Sequence, residues 1–139
     1  MKAIEFDTGD VSLSVNGGGS ISFNPTDINF VQRLFEVFEI LDKKQEQYKQ
    51  GSEDMTDYRA IFELSQQRDQ EMRELINSAF RDDVCTVAFG DRSVYAMAGG
   101  LPIWCNFLLS VIEFIDASII SEQKKTNPRI AKYTAKYRK

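Results

Sequence analysis

Apolar and polar residues alternate along the first 24 residues, a pattern typical of half-buried β-strands. The alternating apolar positions are Val11, Leu13, Val15, Ile21 and Phe23. Between the two runs lies Asn-Gly-Gly-Gly at 16–19, whose residues tolerate the positive φ angles of a tight turn. The stretch therefore predicts a β-hairpin. Ile4 and Phe6 could add a third strand and make a three-stranded meander.

The apolar spacing changes to steps of three and four after Asn24, which predicts amphipathic helices. Asn24 and Pro25 predict the start of a first helix, as N-cap and first helical residue, and Gly51 predicts its end. A second helix is expected to begin between 52 and 56 and to pack antiparallel to the first. Its predicted buried residues are Tyr58, Ile61, Phe62, Ser65, Met72, Leu75, Ile76 and Ala79.

Short elements are predicted between Phe80 and Pro102, with Asp82 and Asp83 capping a brief helix that Gly90 ends. Pro102 then opens the most apolar helix, which is predicted to run from Ile103 to about Lys125. Its apolar run at 101–111 is interrupted by Asn106 and followed by two acidic residues, so the sequence alone argues against a membrane span.

With 139 residues, the chain has the size of one domain. The predicted fold class is α+β and mainly α-helical, with the hairpin or meander followed by a helical bundle. The domain is expected at 1–126, with a hairpin region at 1–24 and helices at 25–126. Residues 127–139 form a separate basic tail after Asn127-Pro128.

Charge is strongly segregated along the chain. From Gln123 onward there are seven of the 17 basic residues and none of the 21 acidic ones. The first 122 residues thus carry 10 basic and 21 acidic groups, a net charge of −11. Such asymmetry indicates contacts with partners. We expect the tail to dock on an acidic protein surface, its own or a neighbour's. Nucleic-acid binding is the disfavoured alternative, because the acidic body opposes long-range attraction.

Candidate catalytic chemistry is sparse. The chain has no histidine and two cysteines, Cys85 and Cys105, which we interpret as reduced, buried thiols of a cytoplasmic protein. Glu113 and Asp116 lie three residues apart, but a polar stripe explains them better than an acid/base or metal pair. The glycine run precedes a strand and lacks the Gly-Lys-Ser/Thr of a phosphate loop. We expect no enzyme activity, no cofactor and no metal.

Two sets of residues are candidates for partner binding. The last helix is apolar around much of its circumference, which predicts a central position or a homo-oligomer interface. The tail mixes basic and aromatic side chains suited to a partner contact. The candidate residues are Trp104, Phe107, Val111, Phe114, Arg129, Lys132, Tyr133, Lys136 and Tyr137.

Several segments resemble small proteins encoded by tailed phages and prophages of Gram-positive bacteria. The segments are Asn-Pro-Thr-Asp at 24–27, Arg-Asp-Gln-Glu-Met-Arg at 68–73, Phe-Gly at 89–90, Gly-Leu-Pro-Ile-Trp at 100–104 and the long motif at 127–137. The resemblance spans nearly the whole chain, and the last motif is the most specific. It carries over no catalytic or binding residues.

The resemblance implies a role in tail morphogenesis. We expect a non-catalytic tail assembly chaperone in the host cell cytoplasm that binds the tape-measure and tail-tube proteins. A structural or connector component of the virion is the alternative, and an inhibitor of a host protein is a third.

Overall fold

The computed structural model describes residues 1–51 and 56–125, together with Lys132 and Ala135. An antiparallel hairpin precedes a set of helices, which confirms the predicted α+β, mainly helical class. The elements are β1 (Val11–Val15), β2 (Gly19–Phe23), α1 (Ile28–Gly51), α2 (Tyr58–Phe80), α3 (Cys85–Phe89), β3 (Met97–Ala98), β4 (Leu101–Pro102) and α4 (Ile103–Lys124).

The hairpin confirms the prediction from alternation. Leu13 pairs with Ile21 on the inner face, whereas the Ser12 and Ser22 hydroxyls share a 2.7 Å hydrogen bond on the outer face. Asn16 and Gly17 both have positive φ, as a primed hairpin turn requires. This turn fixes the register that sends the apolar side chains of both strands toward the helices.

The possible third strand is wrong. Residues 1–10 contain no strand, and Ile4 and Phe6 are 90% and 78% exposed. The side-chain amide of Asn24 instead donates to the Thr8 carbonyl at 2.7 Å. The residues before β1 therefore lie against the turn that follows β2.

Helix α1 begins later than its sequence predicts, at Ile28 rather than near Pro25. The Asp27 carboxylate accepts from the Asn29 N–H at 3.0 Å, so Asp27 does the capping that was predicted for Asn24. Asn24 closes the preceding turn, where its side-chain oxygen accepts from the Thr26 N–H at 3.2 Å. The predicted end at Gly51 is confirmed.

Helix α2 begins at Tyr58, two residues after the predicted range, with Asp57 as its N-cap. Its buried face lies in its C-terminal half, where Met72 and Ile76 are fully buried. The predicted burial of Tyr58, Phe62 and Ser65 is wrong, since Tyr58 and Phe62 are 75% and 64% exposed and Ser65 is exposed as well. The predicted periodicity is therefore present along the whole helix, but only half of it packs against α1.

A cluster of phenylalanines joins the hairpin to the helices. The Phe23 ring lies 5.3 Å from Phe30, and 5.9 Å from both Phe80 and Phe114. A Cβ at Gly19 would lie 3.1 Å from a methyl carbon of Val87, so glycine allows β2 to lie close to α3. The hairpin is thus packed against the start of α1, the end of α2 and the middle of α4.

Side chains of α2 hold the loop that precedes β3. Asp69 accepts from the Val94 N–H at 2.7 Å and from Arg73 Nε at 3.1 Å. Arg73 also donates to the Gly90 and Arg92 carbonyls at 2.8 and 2.6 Å. We call this arrangement the α2 clamp. These contacts leave both side chains mostly covered.

Helix α4 confirms the predicted start, and its end at Lys124 is one residue from the prediction. By length and composition it could cross a membrane, contrary to the sequence argument, although the core helix of a soluble protein can pass the same test. Trp104, Leu108, Val111 and Ile115 are buried in the protein's own core. Within the described ranges, one face of α4 is thus buried in the core, and the residues on both sides of that face are partly or fully exposed.

Candidate protein-binding groove

An open groove of about 760 Å³ lies between the hairpin and α4. Its walls are both strands of the hairpin and their turn on one side and α4 on the other, with α3 also contributing. The main apolar lining residues are Leu13, Val15, Val87, Phe107, Val111 and Phe114. We call this the hairpin–α4 groove. It is an apolar surface that folding leaves accessible.

Phe107 and Phe114 have one side in the core and one side on the groove. The Phe107 ring lies 5.5 Å from Phe89 and 5.9 Å from Phe80, while Phe114 lies against Phe23. Such aromatic contacts fix the orientation of both rings. The groove therefore has a preformed aromatic wall. An aspartate at Phe107 or Phe114 would disturb the core as well as the groove, and so cannot separate binding from folding.

Polar groups line the groove as well as apolar side chains. Asn106 donates from Nδ2 to the Ala98 carbonyl at 2.9 Å, which attaches β3 to α4. The Arg92 guanidinium is the lining group with a charge, and its Nη1 donates to the Phe89 carbonyl at 3.4 Å. Protein-binding surfaces commonly combine apolar side chains with hydrogen-bonding groups in this way.

Strand β1, which lines the groove, also has a free edge. Among the described residues β1 pairs with β2 alone, so alternate N–H and C=O groups of β1 point away from its partner. Residues 13–16 line the groove together with Ile21 and Phe23 of β2, so β1 lies beside it. An extended segment could hydrogen-bond to the edge while its side chains contact α4.

The predicted binding residues of α4 do not all face outward. Trp104 is 2% exposed, and its Nε1 donates to Gln45 Oε1 at 2.5 Å, so it belongs to the core. Val111 is also buried and contributes only to the floor of the groove. Phe107 and Phe114 are half-buried and line the groove directly. The structure thus brings two of the four side chains to an accessible surface.

The predicted binding residues of the tail mostly lie outside the described residues. These are Arg129, Tyr133, Lys136 and Tyr137. Lys132 is described and is exposed. The tail's proposed contact with an acidic surface stays a prediction.

The two thiols differ in their surroundings. Burial raises the pKa of Cys85 to about 12, and its Sγ lies 3.4 Å from the Arg73 carbonyl. Cys105 is half-buried rather than buried as predicted, and partial burial raises its pKa as well. Both thiols are therefore protonated and weakly nucleophilic near neutral pH.

A metal site is likewise not apparent in the part of the chain that the structure describes. Its His, Cys, Asp and Glu side chains form no group of three or more that could hold a metal ion. The expectation that the protein is not an enzyme remains a prediction.

The hairpin side of the groove could not be identified from the sequence. The alternation at 11–15 predicted which residues face inward, but not which helix they face. Leu13 and Phe107 are far apart in the chain, and no local pattern reports their proximity. The turn glycines and the small Gly19 beside Val87 are the nearest signals, because they indicate a close approach of backbone to another element.

No family model, no curated protein and no solved structure matches this chain.

Proposed function

We propose that the protein is a non-catalytic, protein-binding factor in phage tail assembly. In this proposal it acts as a chaperone in the host cytoplasm that binds the tape-measure and tail-tube proteins. The role comes from the resemblance of its sequence segments to small phage proteins. The observation that carries the binding activity is the hairpin–α4 groove, with its aromatic wall beside a free strand edge.

The chemistry of the groove favours an extended polypeptide as the ligand. The edge of β1 offers hydrogen-bonding groups to any backbone, whatever its sequence. Phe107 and Phe114 offer contact area to apolar side chains. A chaperone for a long and aggregation-prone protein needs this combination, because it must cover many different apolar segments.

The test is a pull-down of the tape-measure and tail-tube proteins encoded by the same phage or prophage. Ser110 is exposed and lies in the groove between Phe107 and Phe114 along α4. In Ser110→Arg, a long charged side chain should obstruct the groove without changing the core. We expect at least a tenfold loss of retained tail protein, because an arginine there opposes burial of apolar side chains.

The matched control is Ser121→Arg, the same change on the same helix at an exposed position outside the groove. It should retain tail protein within about twofold of the unmodified chain, as isolated surface substitutions usually do. Equal retention by both variants would remove the groove from the binding account. Retention of neither tail protein by the unmodified chain would contradict the proposed function.

A further inference from the structure

The N-terminal segment has the pattern of a strand without having a partner strand. Ile4 and Phe6 alternate with Glu5, as residues of a half-buried strand do. In the structure this segment is irregular, and the two apolar side chains are 90% and 78% exposed. The segment is therefore a strand-forming sequence whose apolar face is left uncovered.

Within the described ranges the groove, in turn, lacks a strand beside β1 and a cover over its aromatic side chains. The free edge of β1 lacks a neighbouring strand among the described residues, and the aromatic wall beside it lacks a covering. A strand added to β1 would continue the apolar inner face of the hairpin with its own alternate side chains. The N-terminal segment, a potential strand with Ile4 and Phe6 on one face, could therefore fill the groove.

The contacts of residues 7–9 direct the segment away from its own groove. Thr8 is held at Asn24 by a 2.7 Å hydrogen bond, and the Gly9 N–H donates to the Asp7 carboxylate at 2.9 Å. Gly9 has φ +85°, and a Cβ there would touch Asn24 and Thr26. These contacts lead the chain along the turn after β2, whereas a return along the free edge of β1 would have to break them.

A second copy can supply the strand. Residues 1–7 extend up to about 23 Å from Thr8 when fully stretched, enough to cross to a neighbouring molecule. We propose that residues 3–6 of a second copy add to the free edge of β1, with Ile4 and Phe6 in the hairpin–α4 groove. Reciprocal exchange fills both grooves and gives a two-fold symmetric dimer.

This dimer would also regulate the groove. A segment of a tail protein must displace the strand of the second copy, so binding of tail protein and dimerisation are mutually exclusive. That regulatory consequence rests on the proposed function, whereas occupancy of the groove by a second copy does not. The experiments below contain no tail protein, so their failure and the failure of the proposed function are distinguishable.

The first experiment is site-specific cross-linking between two variants in a Cys105→Ser background. One carries Glu5→Cys, which leaves Ile4 and Phe6 in place, and the other carries Ser110→Cys in the groove. Mixing them with a short bismaleimide should give a heterodimer. The mixture with Ser121→Cys should give at least tenfold less, because that position lies outside the groove.

The same cross-linking reaction shows whether the segment binds in the groove of its own molecule instead. A single chain with both Glu5→Cys and Ser110→Cys should cross-link between molecules. Cross-linking within one molecule would show that the segment fills its own groove and would overturn the proposal. Absence of any preference for Ser110→Cys over Ser121→Cys would overturn it as well.

The second experiment measures the dimer dissociation constant by analytical ultracentrifugation. The double variant Ile4→Asp, Phe6→Asp should raise it at least tenfold, because charged side chains oppose burial in the groove. The matched control is Ile28→Asp, Phe62→Asp, which changes the same residue types at positions 71% and 64% exposed. An equal rise in both variants, or an unmodified chain that is monomeric at high micromolar concentration, would contradict the proposal.

Discussion

The α2 clamp and the hairpin–α4 groove differ in how far the rest of the chain covers their side chains and backbone groups. In the clamp, Asp69 and Arg73 bind backbone groups of the same chain, and both side chains are mostly covered. In the groove, the free edge of β1 and the faces of Phe107 and Phe114 have no covering among the described residues. One region is completed within the folded chain, whereas the other is left uncovered among the described residues.

This difference separates substitutions that affect folding from those that affect binding. Changes in the clamp remove contacts that the folded chain already makes, so they should reduce stability. Changes at the exposed rim of the groove should leave stability nearly unchanged and reduce association.

The largest expected effect comes from Arg73→Ala. The substitution removes three hydrogen bonds and leaves the covered Asp69 carboxylate without its cation. We expect the free energy of unfolding to fall by about 2–4 kcal/mol, the usual cost of breaking a largely buried charged pair. Urea denaturation followed by circular dichroism measures it.

Lys125→Ala is the control for Arg73→Ala. It breaks the exposed Lys125–Glu122 ion pair, whose side chains are 65% and 58% exposed. Exposed pairs contribute about 0–1 kcal/mol, so the loss should be small. Similar losses for the two variants would show that the clamp stabilises the fold no more than a surface ion pair does.

The pH dependence of stability tests whether the core behind the clamp is dry. Burial raises the pKa of Cys85 from 9.0 to about 12. Because the unfolded thiol loses its proton at lower pH than the folded one, stability is full below pH 9 and falls as the pH rises toward 12. The slope is about half of the one-proton value at pH 9 and approaches about 1.4 kcal/mol per pH unit as the unfolded thiol becomes fully ionised.

Urea denaturation between pH 9 and 10 measures this slope, with Cys85→Ala as the comparison. The pKa of Tyr48 is also raised to about 12, by burial and by its hydrogen bond to Glu71, but its ordinary value of 10.0 places its effect at higher pH. Cys85→Ala should therefore show a flatter dependence in this window. Identical slopes would mean that water reaches the thiol.

The smallest expected change in stability is for a chain ending at Thr126, which lacks the predicted basic tail. Charged residues are rarely buried without partners, so we expect the free energy of unfolding to change by less than about 0.5 kcal/mol. The tail should matter for binding instead. Pull-down of tail proteins should weaken relative to the full chain at low salt, and the difference should shrink at high salt.

The tail prediction fails in two different ways. Unchanged pull-down at low salt would exclude the tail from the binding account. A large loss of thermal stability would show that Ile130, Tyr133 or Tyr137 packs into the domain.

The elements of this fold could be predicted because their signals are local. Alternation located the hairpin, and Pro102 located the start of α4. Asn24 failed as a helix cap because a side chain that closes a turn has the same local signature as one that caps a helix. Phe62 failed as a buried residue because periodicity shows which residues share a face, but not how far that face is covered.

The candidate site was less predictable for the same reason. Phe107 and Phe114 were identified as binding residues, whereas their neighbour Trp104 belongs to the core. Which flank of α4 stays accessible depends on where the hairpin packs, and that is set by contacts such as Phe23 with Phe114 between distant parts of the chain. Only the assembled structure contains that information.

Amide hydrogen exchange along the hairpin tests the central claim, that the edge of β1 in the groove binds an extended segment. The outward-pointing amides of β2 are an internal control, since they belong to the same two-stranded sheet. Raising the protein concentration into the associated range, or adding tape-measure protein, should slow exchange at the outward amides of β1 and leave those of β2 unchanged. Equal exchange at the two edges under all conditions would contradict the account.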